Sequence, residues 1–252
     1  MNKRILIFYD HFYPSYKAGG PTQSLVNLVR ELYEVYDFYI VCKPHEMGER
    51  ELLTNIVVNK WSGWEDVKNK VKVETEAEFR AKVYYWQYGW KQRRELKQLI
   101  EDVRPDVMYV NGLYSLYFNF LPLFYAVKLK QINPSLNIVL SARGMLHPGA
   151  LSQKSFKKKI YLHLLRRLKI HRMVRWHATD QQELQFIKQA MGNEAEVRAA
   201  ANFPNLLDVT DRPLKKAGTL IMGTVALISP MKNHLEVLKA LQQLSAFCHL
   251  YR

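Results

Sequence analysis

The sequence predicts an α/β protein: a Rossmann-like parallel sheet with helices on both faces, followed by the opening of a second domain. Three observations point there. Short runs rich in Val, Ile, Tyr and Phe alternate along the first two hundred residues with longer amphipathic segments. The turns between them carry Gly, Pro and Asn. The composition, 48% hydrophobic and 24% charged, is that of ordinary globular material with enough apolar residues to cover a sheet twice.

Taken in order, residues 4–9 read as a strand, 22–33 as a helix and 38–43 as a strand. After a polar, irregular stretch, 83–87 form another short strand. Residues 91–103 are helical, 106–110 a buried strand, 114–131 a helix and 137–142 a strand. The segment from Lys154 to Arg175 has helical spacing, and 175–179 and 196–200 are closing strands. Strands alternating with helices require crossovers, which is why the sheet is expected to be parallel. Residues 219–229 read as the first strand of a new domain, with one helix after it. A lone strand and helix cannot bury their own apolar faces, so the segment either packs back on the first domain as its terminal strand and helix or opens a truncated second domain; the expected division is 1–209 and 210–252.

Residues 5–9 are too short for a secretory signal and suit a buried strand. The aromatic run 113–127 is shorter than a bilayer span and contains Asn119 and Pro122, which favours a buried or interfacial helix. Cys42 and Cys248 are too few and too distant for a disulfide framework or metal knuckle. The expected location is cytoplasmic, peripheral on the inner face of the membrane.

Charge is unevenly placed. No acidic residue lies between Asp106 and Asp180, while twelve of the 37 basic residues do; the remainder, 25 basic against 23 acidic, is near balance. One stretch therefore carries nearly all of the net charge of +14. Nine of the twelve fall between Lys154 and Arg175, interleaved with Phe156, Ile160, Tyr161, Leu164, Leu165 and Leu168 at three- and four-residue intervals. Such a helix packs its apolar stripe on the domain and presents Lys154, Lys157, Lys158, Lys159, Arg166 and Arg167 outward. An anionic membrane surface, nucleic acid and a phosphorylated substrate all fit that charge; a merely solvated basic face is the bland alternative. Nucleic acid is the weakest of these, because no recognised nucleic-acid motif accompanies the charge.

In sheets of this kind the ligand crevice lies at the carboxyl ends of the strands, so the strand-to-helix turns are the places for chemistry. The first turn ends Gly19-Gly20-Pro21, with Thr22 placed to cap the helix. Glycines there let backbone N–H groups approach a phosphate at the helix start. The loop lacks the Gly-x-Gly-x-x-Gly spacing of dinucleotide sites. Two later turns place Asn111-Gly112 and Arg143-Gly144-Met145 at the same edge, and arginine there suits bidentate contact with phosphate or carboxylate.

Together these segments resemble glycosyltransferase family 4, retaining enzymes of the GT-B fold, over essentially the whole chain. Tyr13-Pro14 with Ala18-Gly19-Gly20-Pro21 resembles the family's glycine loop, and Arg143-Gly144-Met145-Leu146 the loop before its basic helix. Ala178-Thr179 with Glu183 resembles the stretch that follows. Asn202-Phe203-Pro204-Asn205-Leu206-Leu207-Asp208 is similar to the interdomain linker, with Leu206 in place of glycine, and Ser229-Pro230-Met231-Lys232-Asn233 to the start of the donor domain.

The resemblance implies an acceptor side on the N-terminal domain and a nucleotide-sugar donor held mainly by the second. Gly19, Gly20, Arg143 and Lys232 would hold the donor phosphates. Asn111 would stand at the catalytic cleft, where many relatives have histidine. No cofactor is implied, the nucleotide sugar being a substrate, and no metal is expected. The acceptor would be a saccharide or lipid-linked saccharide in surface polysaccharide synthesis. Leu227 stands where the family has arginine, and the chain ends before the Glu-x7-Glu element that holds the sugar, which makes a truncated or frameshifted enzyme the expectation. The alternative is a catalytically inactive, membrane- or saccharide-binding remnant.

Overall fold

A computed structural model describes residues 2–54, 56–63, 81–152, 155–204, 223–224 and 233–250. The chain divides into two compact units, Met1–Asn205 and Leu206–Arg252.

The first unit is an eight-stranded sheet in the order β3-β4-β2-β1-β5-β6-β7-β8. Its strands are β1 (Lys3–Phe8), β2 (Tyr36–Cys42), β3 (Trp61–Gly63), β4 (Ala81–Tyr85), β5 (Val107–Asn111), β6 (Asn137–Ser141), β7 (Arg175–Ala178) and β8 (Glu196–Ala199). All neighbours pair in parallel except β3 with β4, where Trp61 faces Tyr84 and Gly63 faces Lys82. The Rossmann-like α/β reading holds, with one antiparallel edge strand that three residues were too few to announce.

Alternation along β1 shows how the sheet builds two cores. Leu6 and Phe8 join Met108, Val110, Ile138, Leu140 and Trp176 on one face, while Ile7 and Tyr9 join Phe38, Ile40 and Tyr85 on the other. The helices α2 (Arg93–Val103), α3 (Leu121–Ile132), α5 (Ser155–Arg167) and α7 (Gln181–Met191) bring Leu96, Leu123, Leu165 and Ile187 to the first core. Helix α1 (Gly20–Leu32) brings Leu25 and Val29 to the second. Right-handed crossovers account for the split: the chain steps from β1 to β2 in one direction, and from β4 through β8 in the other.

Three helices depart from expectation. Helix α1 begins two residues before Thr22; Gly19 occupies the N-cap with no side-chain cap bond, and Thr22 is buried inside the first turn. The single helix expected over 114–131 opens as a π-helical turn, Leu116–Phe120, and becomes α-helical at Leu121, with Pro122 in its first turn, where proline forfeits no internal hydrogen bond. The basic segment, expected as one helix, is two, α5 and α6 (Ile170–Met173), preceded by the short α4 (Pro148–Ser152). Lys169, at φ 55°, separates α5 from α6, because the left-handed conformation cannot continue an α-helix.

The second unit contains α8 (His234–Leu250), along which Glu236 and Lys239 pair at 2.8 Å. Of the expected strand at 219–229 only residues 223–224 are described; the linker residues 205–208, Leu227, Lys232 and Lys154 lie outside the described residues. No described helix is long and apolar enough to cross a membrane.

Candidate active site

The parallel strands end together on one edge of the sheet, and every turn singled out above falls there. At the end of β1, the loop to α1 contains a cis Tyr13–Pro14 bond and is held by Glu46. The Glu46 carboxylate, 5% exposed, accepts hydrogen bonds from Ser15 Oγ (2.6 Å) and from the backbone N–H groups of Tyr16 (2.9 Å), Lys17 (3.1 Å) and Met47 (2.9 Å). Burial alone raises its pKa, but those four bonds outweigh burial and hold it below the usual glutamate value. The carboxylate therefore fixes the loop as an anion. Gly19, at φ 67° and ψ −136°, adopts a conformation only glycine takes readily, and turns the chain into α1. A Cβ built on Gly19 or Gly20 would meet nothing within 4 Å, so the space over the helix start is open.

Arg143 is the centre of the edge. It follows β6 with φ 51°, and Gly144 follows it at φ 72°. Its Nε and Nη2 donate to Asn111 Oδ1 at 2.9 and 2.7 Å. Nη1 donates to Ser24 Oγ and Asn202 Oδ1, both at 2.9 Å, and Nη2 reaches Tyr109 Oη at 3.4 Å. All five N–H donors thus have partners within the chain, every one a neutral oxygen. Among the described residues no carboxylate lies within 4.0 Å of the guanidinium, so its charge is left to act on the space around it.

Two expectations change on this geometry. Asn111, carried as the residue standing at the cleft, is fully buried; its side chain anchors Arg143 and has no surface for a substrate. The reason is register, since Asn111 pairs with Ser141 inside the β5–β6 ladder and Arg143 lies just beyond. Arg143, carried as a phosphate ligand, is bound by the protein itself and acts as a charged brace. Gly112, at φ 90°, passes so close to Met145 Cε and Asn119 Oδ1 that a Cβ would sit 3.2 and 3.3 Å from them.

From Arg143 a directed chain of hydrogen bonds runs through the sheet. His177 Nε2 lies 2.8 Å from the Ala200 carbonyl, which can only accept, so the proton is on Nε2. Nδ1 is then the acceptor for Tyr109 Oη at 2.7 Å, and that oxygen in turn accepts from Arg143. Burial lowers the His177 pKa below 6.5, and the Arg143 charge pushes the same way against the Ala200 carbonyl and Glu183. Burial raises that of Tyr109. Both groups are neutral near pH 7. A cavity of about 320 Å³ opens beside them between α1 and the sheet, polar at the Arg143, His177 and Asn202 end and apolar toward Leu28 and Phe38.

Glu183 closes the arrangement. Asp180 caps α7 by accepting from Glu183 N–H at 2.7 Å. The Glu183 carboxylate, 5% exposed, reaches across to accept from Gly144 N–H (2.6 Å) and from Thr179 N–H and Oγ (2.7 and 2.8 Å). It holds the left-handed Arg143-Gly144 turn in place.

Sequence reasoning missed a second polar group on the same edge. Lys43, at the end of β2, pairs with Asp10 at 2.5 Å, and Ser115 Oγ donates to the same Asp10 oxygen at 3.0 Å. The lysine also lies over the rings of Tyr88 and Phe118, at 5.7 and 5.8 Å. The rule that ligands sit at strand carboxyl ends, applied to β2 as it was to β5 and β6, would have found it. The basic residues are divided by α5. Lys157, Lys159, Arg166 and Arg167 are exposed, but Lys158 turns inward, donating to the Ala150 carbonyl at 2.5 Å and lying 5.2 Å from the Tyr114 ring. Lys158 is therefore not membrane-facing, because its position on the helix points at α4 and not at solvent.

No family model and no curated protein sequence matches this chain. Solved structures do. Sucrose-phosphate synthase from Thermosynechococcus elongatus superposes with a TM-score of 0.52 at 10% identity, over 79% of this chain and 48% of that one. HepE of Anabaena in complex with UDP-glucose gives 0.46 at 12% identity, over 79% and 43%. MnaA of S. aureus with UDP gives 0.42 at 13% identity, over 81% and 44%. The chain spans less than half the length of each of these proteins. What the superposition on sucrose-phosphate synthase establishes is the fold: this chain carries the same Rossmann-like α/β layer.

Proposed function

We propose that the chain is the acceptor-side half of a retaining, family 4-like glycosyltransferase that moves a sugar from a nucleotide-sugar donor to a saccharide or lipid-linked acceptor in surface polysaccharide synthesis. One observation carries this reading. Segments that resemble the family in sequence, 143–146, 178–183 and 202–204, meet on one sheet edge through the Arg143–Asn202 and Glu183–Gly144 hydrogen bonds, and 18–21 joins them through Ser24, which accepts from Arg143 and donates to the Pro21 carbonyl. The shared fold with sucrose-phosphate synthase supports it. In this reading the open start of α1 stabilises the departing diphosphate, and Arg143 supplies fixed positive charge on the same edge. Transfer needs a donor-side half, to which residues 210–252 contribute the opening. The basic segment draws the domain to an anionic membrane by charge.

A second reading, a saccharide- or membrane-binding domain without transfer, is favoured by the burial of Asn111 and the engagement of all five Arg143 donors. Isothermal titration with UDP- and GDP-sugars separates the two, using Gly20→Glu as the probe. The open space at Gly20 accommodates the side chain, and a carboxylate at a helix start is compatible with folding. Nucleotide-sugar binding that weakens about tenfold or more in Gly20→Glu supports the donor site. No binding by the wild type, or binding indifferent to Gly20→Glu, leaves the second reading.

A further inference from the structure

Helix α5 is apolar over more of its surface than the fold uses. Leu165 is fully buried, and Tyr161 packs against the rings of Tyr114 and Phe120 at 5.5 and 6.1 Å. Phe156, Ile160, Leu164 and, just past the helix end, Leu168 run alongside that seat and stay outside it, with 74%, 54%, 37% and 47% of their surface exposed. Residues four apart on an α-helix advance by only about 40°, so these four form one continuous outward line roughly three turns long. The inward face is therefore narrower than the apolar stripe expected from the sequence, because Tyr161, Leu162 and Leu165 are enough to seat the helix.

Isolated exposed apolar side chains are ordinary on a protein surface; a line of four large ones is not. This line is bordered by cations. Lys157, Lys159, Arg166 and Arg167 are all exposed on the same helix, and residues 107–179 contain no acid to neutralise them. A nucleic acid would engage the cations and leave Phe156 and Ile160 in water. An acidic protein groove would need apolar and anionic strips in matching register. A bilayer with anionic headgroups supplies both layers without a matched shape, charge at the surface and hydrocarbon just below it.

We infer that α5 is an interfacial anchor: Phe156, Ile160, Leu164 and Leu168 enter the headgroup–acyl boundary of an anionic bilayer while the four flanking cations hold its phosphates. This goes beyond the proposed function, which asks only for electrostatic attraction, and it stands whether or not the domain binds a nucleotide sugar.

The test is co-sedimentation of the full chain with phosphatidylcholine vesicles, with and without phosphatidylglycerol. It is run at about 0.1 M and 1 M salt, between which the screening length falls from ~10 to ~3 Å. The wild type is expected to bind the anionic vesicles and to stay largely bound at high salt, since apolar burial is not screened. The variant Ile160→Ser/Leu164→Ser is expected to lose about tenfold or more in partitioning and to be released by salt, while melting like the wild type. A depth readout accompanies it: in Ile160→Trp, acyl-brominated lipid quenches the added emission beyond that of the wild type. Complete release of the wild type by salt, unchanged partitioning of the double variant, or absence of the added quenching would each overturn the anchor and leave a charged face. Binding to DNA but not to vesicles would do the same.

Discussion

Replacing Glu183 with glutamine tests whether one buried carboxylate holds the Arg143 turn. In the structure one oxygen accepts from Gly144 N–H at 2.6 Å and the other from Thr179 N–H and Oγ at 2.7 and 2.8 Å. Glutamine keeps the shape but turns one oxygen into an NH2 that faces a donor, so at least one buried N–H loses its acceptor, at about 1–3 kcal/mol. The carboxylate also sits in the first turn of α7, where loss of its charge costs about 0.3–1 kcal/mol. The sum is roughly 1–4 kcal/mol, and in a unit of about 200 residues each kcal/mol lowers the melting temperature by roughly 2–4 °C. Urea unfolding followed by tryptophan fluorescence reads the change as a shifted midpoint at constant slope. Asp180→Ala, which removes only the cap bond to Glu183 N–H, is the control and is expected to cost about 1 kcal/mol. A Glu183→Gln effect no larger than that of Asp180→Ala would refute the brace, placing the value of the residue in the helix start alone.

Helix α5 predicts opposite outcomes from neighbouring residues: Leu165→Ala, in the core, should cost about 2–5 kcal/mol, whereas Ile160→Ala should stay within about 0.5 kcal/mol by the same unfolding assay. The neutral His177 predicts pH dependence. Its folded pKa is depressed, so the stability it contributes is present above its ordinary value of 6.5 and is lost as pH falls toward the folded value. Unfolding midpoints should therefore drop on acidification below about pH 6.5, and the slope should flatten in His177→Gln. His11, also depressed by burial and by Lys43, would leave a residual slope of the same sign. Burial raises the Cys42 thiol strongly, so it should resist alkylation at pH 8 until the unit unfolds, as peptide mass spectrometry will read.

Much of this was legible in the chain because it rests on local rules. Apolar runs at 5–8, 107–110 and 138–140 specify buried strands whichever partners they find, and right-handed crossovers then restrict their order. Glycine at 19 announces a turn that no other residue makes as easily, and the absence of acids over 107–179 announces a basic face. What the sequence could not rank was which polar residue looks outward. Asn111 and Arg143 both follow strands, yet the β5–β6 register buries the first and props the second on it. Thr22 resembles a cap, but Gly19 already turns the chain. Six apolar residues at helical spacing read as one buried stripe, yet α5 is seated by Tyr161, Leu162 and Leu165 while four of the six stay exposed. The sequence by itself determined the layers, the edge at which the candidate residues gather and the sign of the charge, since each follows from residue type and spacing. Only the tertiary structure decided which side chains are braces and which are surface, since that depends on what stands opposite each residue across gaps of 30 to 120 positions.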